Sequence, residues 1–425
     1  MSVDAIVIGA GLRGRFTYGG WARAHPDQLR IVAIAEPDET RRAGMAEDQE
    51  LPPERVFSDW RELLEQPRMA DAVIVATGDT LHVEPALAAL ECGYHLLLEK
   101  PMAPDPADCL RVVRAAERAG RILQVGHVLR HSAFYARVHE IVVSGQLGDI
   151  ATLDLKEHVA HWHMTHSYVR GKFRNRRIAA PILLAKSCHD LDLLVWLAGA
   201  RPRRVASFGS LSHFRSESAP QGAPERCTQG CPVQPDCIHD AVRFYLDPHD
   251  GIAQIWPWSD VSPNPAREAR REALETGPYG RCVYRTDNDA LDHQVLAVEL
   301  DGGIMASFTL QGLATHERRT LRISGSAGEL RGVLQTGEIE ITRHGTLDTE
   351  RIQIEGSEIG HFGGDEGLVA HFVDCVSREA LDDALTSGRI ALESHLLGFA
   401  AEQARETGSV VDLDAYCSEL EAGIG

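Results

Sequence analysis

The sequence lacks any apolar run approaching the length that crosses a bilayer, about 20 residues. It also lacks an excess of positive charge: 43 Lys+Arg stand against 62 Asp+Glu, a formal net charge of −19. The first absence argues against a membrane-spanning chain. The second argues against nucleic acid and anionic membranes as partners, since both are gripped through clustered cations. There are no internal repeats and no low-complexity tail, and the chain enters a strand-like stretch at once without a signal-peptide pattern. A cytoplasmic protein is therefore expected. What remains is an ordinary globular composition, 44% hydrophobic and 25% charged, in 425 residues. That length allows two or three cores. In a reducing compartment the nine cysteines point to metal ligands sooner than to disulfides.

The first stretch carries the strongest signal. Val3–Ile8 is an apolar run of strand length, and it meets Gly9, Gly11 and Gly14 in the G-x-G-x-x-G spacing, with helix-like sequence from Leu12 and Arg13 onward. Gly9 would make the tight turn, Gly11 would let a pyrophosphate approach the backbone, and Gly14 would let helix pack on strand. The helix start would offer its free N–H groups to the phosphates. The next strand-like run, Arg30–Ala35, closes on Glu36. A carboxylate there can accept both ribose hydroxyls and repels a 2′-phosphate, which favours NAD, although Arg41 and Arg42 leave NADP open. Three further runs, Asp71–Ala76, Tyr94–Leu98 and Arg121–Val125, alternate with helical stretches. That alternation describes a parallel, doubly wound sheet. Ligands on such sheets sit at the carboxyl ends of the strands, where Thr77, His82, Glu99 and Lys100 lie.

The triplet Glu99-Lys100-Pro101, the glycine turn, Glu36 and the later His189-Asp190-Leu191-Asp192 together resemble the Gfo/Idh/MocA family of nicotinamide-dependent sugar and cyclitol oxidoreductases. The resemblance spans most of the chain, including Gly126, His127 and Arg130. Chemistry alone lets a lysine at a strand end hold a substrate hydroxyl or developing alkoxide. A histidine such as His189, titrating near neutrality, suits removal of a hydroxyl proton. The resemblance implies that His189 is the catalytic histidine and that His127 and Asp192 face the substrate. One departure stands out. The family pattern commonly has an aspartate four residues before the histidine, and here that place is Ala185, with Lys186 beside it. Lys186 offers a second cation, which points towards an acidic substrate or altered acid–base chemistry.

A histidine-rich run, His158, His161, His163 and His166, precedes Tyr168 and Arg170. No acidic or cysteine ligand accompanies it, so it reads as a polar substrate loop, with Tyr168 and Arg170 as contacts for a polyol or an anionic sugar substituent. Between strand-like runs 203–212 and 291–300 lies an irregular insertion, at about 213–290, carrying Cys227, Cys231, Cys237 and Cys282. Four thiolates can close a tetrahedral structural zinc site and so organise a loop with little core of its own. An iron–sulfur cluster, a disulfide or free thiols are the other possibilities. The remaining runs alternate like antiparallel strands, whose free face suits a homo-oligomer.

The expected architecture is an N-terminal Rossmann dinucleotide-binding domain, 1–126, followed by an α/β domain, 127–425, with a large, mostly antiparallel sheet. The expected activity is hydride transfer from a carbinol carbon of a sugar, cyclitol or glycoside to NAD. The alternative is a redox-neutral, NAD-dependent glycosidase working by transient oxidation, elimination and water addition, with Lys186, Tyr168 and the histidine run as its extra acid–base groups.

Overall fold

The computed structural model describes residues 2–248, 250–253, 255–356, 361–381 and 383–424. Six strands form the first sheet: β1 (Val3–Ile8), β2 (Leu29–Ala35), β3 (Val56–Phe57), β4 (Ala72–Val75), β5 (His95–Leu98) and β6 (Leu123–Val125). They run parallel in the order β3-β2-β1-β4-β5-β6, the doubly wound arrangement. Strands β4 and β5 are buried at every position, as a sheet covered by helices on both faces requires. Helix Pro106–Ala119 shows the local logic: Asp105 caps it by accepting the Ala107 N–H, proline takes the first helical position, and Gly120 ends it with φ 58°. Its apolar stripe, including Leu110 and Val113, lies in the core.

Nine strands form the second sheet: β7 (Ile150–Ala160), β8 (Pro202–Ser210), β9 (His293–Leu300), β10 (Met305–Ala314), β11 (Arg318–Gly325), β12 (Gly328–Val333), β13 (Glu338–Arg343), β14 (Thr349–Gln353) and β15 (Val411–Asp412). The order is β14-β13-β12-β11-β7-β10-β9-β8-β15, antiparallel except for β7 beside β10. Helices Cys188–Ala198 and Gly388–Thr407 pack on one face. The opposite face leaves Phe208, Val295, Met305 and Leu313 exposed. The first sheet is tied at β6 to the segment that leads into helix Gly388–Thr407, where the Val125 N–H donates to Thr386 O and the Thr386 hydroxyl donates back to Val125 O.

Two expectations change. The insertion is not coreless: helices Ala241–Leu246 and Arg267–Thr276 enclose their own cluster of Tyr245, Leu246, Leu274 and Tyr279. The histidine run is not an open loop, because residues His161–Arg170 wind into consecutive helical turns, buried from Met164 onward. No helix among the described residues is long and apolar enough to cross a membrane.

Candidate active site

The glycine turn has the geometry its spacing predicts. Gly9 adopts φ +99°, and a Cβ there would stand 2.7 Å from the Ala76 carbonyl oxygen. A Cβ on Gly14 would stand 1.9 Å from Gly9 O, so strand end and helix start touch backbone to backbone. A Cβ on Gly11 would meet nothing within 4 Å, which leaves the backbone there open to phosphates beside the exposed Leu12. The segment Leu12–Tyr18 is a wide π-type turn rather than a regular helix. Glu36 is buried, and its carboxylate accepts the N–H groups of Ala10 (2.7 Å) and Asp38 (3.0 Å). It is thereby held against the turn, where ribose hydroxyls would meet it. Arg42 spends its guanidinium on the carbonyls of Glu36 and Pro37. These residues fit NAD.

Arg13 does more than flank the phosphates. Its guanidinium pairs with Glu99 and, at 2.7 Å, with Asp365 from helix Gly364–Ser377, so it binds the two halves of the chain together. Glu99 is buried and also accepts the Tyr18 hydroxyl. Against the cost of burial, Arg13 and these hydrogen bonds hold the Glu99 carboxyl below its ordinary range. His82 is also more structural than expected: its ring nitrogens face the carbonyls of Pro101 (2.7 Å) and Thr77 (3.2 Å), bracing the turns that carry Thr77 and Lys100.

Lys100 and His189 come together at the crevice. Lys100 Nζ donates to the Ala185 carbonyl at 2.7 Å. The position where the family pattern has an aspartate thus still anchors the lysine, through its backbone. His189 begins helix Cys188–Ala198 and its Nδ1 has no hydrogen-bond partner. Burial, then the charges of Lys100 and His127, pushes its pKa well below the usual value, leaving a neutral imidazole able to accept a proton. His127 stands edge-on to His189, ring centroids 5.7 Å apart; neither of its nitrogens is hydrogen-bonded, and Nδ1 lies 4.0 Å from Asp192 Oδ2. Behind it, His395 accepts the Met102 N–H on Nε2 and lies against Ala391 O through Nδ1, which fixes a neutral tautomer. Burial accordingly lowers the His395 pKa to about 3.

Four predicted residues lie elsewhere than expected. Asp192 is paired inside the protein: Arg130 grips it with two bonds, 2.6 and 2.8 Å, and both side chains are buried. Lys186 points away into a charged row, 3.2 Å from Glu157 and 3.9 Å from Glu317, which Arg319 and Asp190 continue. Arg170 is withdrawn from the crevice altogether, donating to the carbonyls of Arg281 and His239, each at 2.7 Å, and to Cys227 Sγ. Tyr168 is buried, its phenol pushed up by desolvation and then by Glu157 and Glu317. It lies by that row. The physical reason is shared: burial forces each cation onto the nearest carboxylate or carbonyl, and those partners come from distant strands. Asp292, at the start of β9, likewise accepts the N–H groups of Ser212 and His213. Glu157, Glu317, Arg319, Asp365 and His361 carry no local signature, and sequence reasoning missed them.

Cys227, Cys231, Cys237 and Cys282 line a single small cavity with Arg170 and His239. The Arg226–Arg281 bridge, with Cys227 N–H donating to Gly280 O and Cys282 N–H to Glu225 O, holds two of them side by side. All four are free thiols. Among the described residues, however, the one group of three or more whose ligand atoms all lie within 4.8 Å of one another is His127, Cys188 and His189. The four sulfurs therefore converge without being drawn to metal-binding distance.

Glycine turn, buried Glu36 and sheet order together define a dinucleotide-binding protein of the Rossmann type, with Lys100 and His189 facing its crevice. Residues 3–127 match the profile described as the oxidoreductase family, NAD-binding Rossmann fold, and residues 139–413 match that family's C-terminal alpha/beta domain. The chain belongs to the Gfo/Idh/MocA oxidoreductase family. It is 26% identical over 321 residues to a putative oxidoreductase, YteT, of Bacillus subtilis, covering 70% of this chain and 71% of that one. It is 32% identical over 200 residues to inositol 2-dehydrogenase 2 of Saccharopolyspora erythraea, spanning 47% of this chain and about half, 55%, of that protein. Among solved structures, levoglucosan dehydrogenase in complex with NADH superposes with a TM-score of 0.72 at 18% identity, over 97% of this chain and 99% of that one. An Agrobacterium radiobacter oxidoreductase in complex with NAD+ gives 0.69 at 16% identity, over 98% and 99%. At these identities the structures speak for the fold alone.

Proposed function

We propose that this protein is an NAD-dependent dehydrogenase of a sugar or cyclitol, oxidising a carbinol carbon to a carbonyl. The observation that carries the reading is the Lys100–His189 corner at the mouth of the nucleotide crevice: a cation anchored by Ala185 O beside a neutral, unpartnered imidazole. Bound NAD supplies the hydride acceptor. Lys100 holds the substrate oxygen and stabilises its negative charge as the C–H bond breaks, while His189 takes the hydroxyl proton. His127 closes the wall behind them. The kinship to inositol 2-dehydrogenases supports the cyclitol class. The glycosidase alternative lacks support, because Lys186 and His166 are committed to partners and Tyr168 is buried; His166 faces the Tyr245 hydroxyl at 2.8 Å and Asp260 at 3.5 Å.

The test is NADH absorbance with purified protein, NAD and a panel of sugars, cyclitols and aryl glycosides. NADH formed in proportion to a carbonyl product supports the reading. Aglycone release without net NADH would refute it.

We also infer that the four-cysteine cavity holds a structural zinc ion, because four free thiols line one pocket. Metal analysis should return one zinc per chain, lost together with thermal stability in Cys282→Ser. A metal-free folded protein with four alkylatable thiols would refute this. The exposed apolar residues on the second sheet suit a second copy of the chain, so sedimentation should show a species larger than the 46.6 kDa monomer.

A further inference from the structure

The proposed dehydrogenation leaves a proton on His189, which is only 5% exposed. That proton must reach water before the next turnover, and His189 Nδ1 has no hydrogen-bond partner. We propose that His361, oriented by Asp365, is the relay that carries the proton from His189 to solvent. The proposal rests on the dehydrogenase reading above.

The groups facing His189 are Lys100, His127, Cys188, Arg319 and His361. Lys100 and Arg319 are cations already bonded, to Ala185 O and to Glu157 and Asp190. Cys188 is sealed, and burial pushes its thiol to about 12. His127 leads inward, to Asp192, which is buried and held by Arg130, and to His395, whose Nε2 is filled by the Met102 N–H. No proton leaves that way. His361 lies on the other side, its ring centroid 6.1 Å from that of His189 and tilted 48° to it, within the span of one bridging water or substrate hydroxyl. It is also half-exposed, its side chain 43% accessible.

The support behind His361 has the form of an orienting carboxylate. His361 Nδ1 sits 3.0 Å from Asp365 Oδ2, and the other oxygen, Oδ1, is held at 2.7 Å by Arg13 Nη1. Against burial, His361 and Arg13 keep Asp365 well below the usual carboxylate range, so it stays ionised and can steady an imidazolium. Arg13 also pairs with Glu99, the neighbour of Lys100. One chain of contacts therefore joins the glycine turn, the substrate lysine and the relay. The balance is simple. The C–H electron pair leaves as hydride to NAD+, the O–H proton moves to His189, the C=O bond forms, and the imidazolium proton passes to His361 and on to water or buffer. One proton is released per NADH.

His361 adopts φ 52°, which asparagine tolerates, so His361→Asn keeps the turn. In dilute buffer this variant should turn over at least about tenfold more slowly, with NADH affinity unchanged, and added imidazole should restore kcat in a saturable way. Wild-type kcat in dilute buffer, or a loss that imidazole leaves untouched, would overturn the relay. A second measurement needs no substrate: in the NADH complex, nitrogen NMR should show slower exchange of the His189 ring proton with water in His361→Asn. Equal exchange overturns the relay even if the wild-type protein oxidises no polyol, an outcome that would separately overturn the dehydrogenase reading.

Discussion

Replacing Lys100 by methionine is expected to lower kcat/KM about 10²–10³-fold, the cost typical of removing one preorganised donor to a developing oxyanion. Affinity for NADH should change by no more than about twofold, because the backbone cradle at Gly11 and the carboxylate of Glu36 are untouched. Lysine is suited to this place. Its Nζ is fixed at 2.7 Å by the Ala185 carbonyl, which uses one donor and leaves two for a substrate oxygen. Its charge also helps keep His189 neutral, so the substitution should raise the pH at which the base titrates as well as slowing the reaction. Steady-state rates across pH, with NADH fluorescence titration alongside, would show both effects. A variant that keeps half the wild-type turnover would exclude Lys100 from the carbinol oxygen.

The second large effect is on stability. Asp192→Ala should destabilise the protein by about 3–5 kcal/mol, because it strands the Arg130 guanidinium without a counter-charge in the interior. Both partners are buried, and two bonds of 2.6 and 2.8 Å join them. Against the cost of burial, His127 and Arg130 keep the Asp192 carboxyl below its usual range, so the pair is ionised in the folded state. The outcome discriminates between the two roles open to this aspartate. A substrate ligand would raise KM and leave urea unfolding unchanged, whereas the buried ion pair shifts the unfolding midpoint first. A shift in KM alone would return Asp192 to the substrate.

How far the sequence could be read depends on the range of the interaction. Gly9, Gly11 and Gly14 act through their own backbone, and for Gly9 and Gly14 the need for glycine is met where the spacing placed it. Glu36 is one strand away and was legible for the same reason: a strand end of fixed length must reach the turn. Lys100 and His189 were legible because each sits at the end of an element whose apolar pattern is clear. Arg170 was misplaced, since its partners Arg281 and His239 lie across an insertion whose own packing no local pattern encodes. Lys186 was misplaced because Glu157 and Glu317 stand on separate stretches that meet only when β7 and β11 pair.

By itself the sequence determined the parallel Rossmann sheet, the nucleotide cradle, the mostly antiparallel second sheet, and the strand and helix ends that carry Lys100 and His189. These follow from periodicity and from backbone geometry that only glycine permits. Tertiary structure alone decided which charges are spent inside the protein and which face the crevice. A buried cation must find a counter-charge or carbonyl wherever the fold brings one close, and sequence distance does not enter that choice. It turned Asp192 and Arg170 inward, and it brought His361 and Asp365 beside a histidine more than 170 positions earlier in the chain.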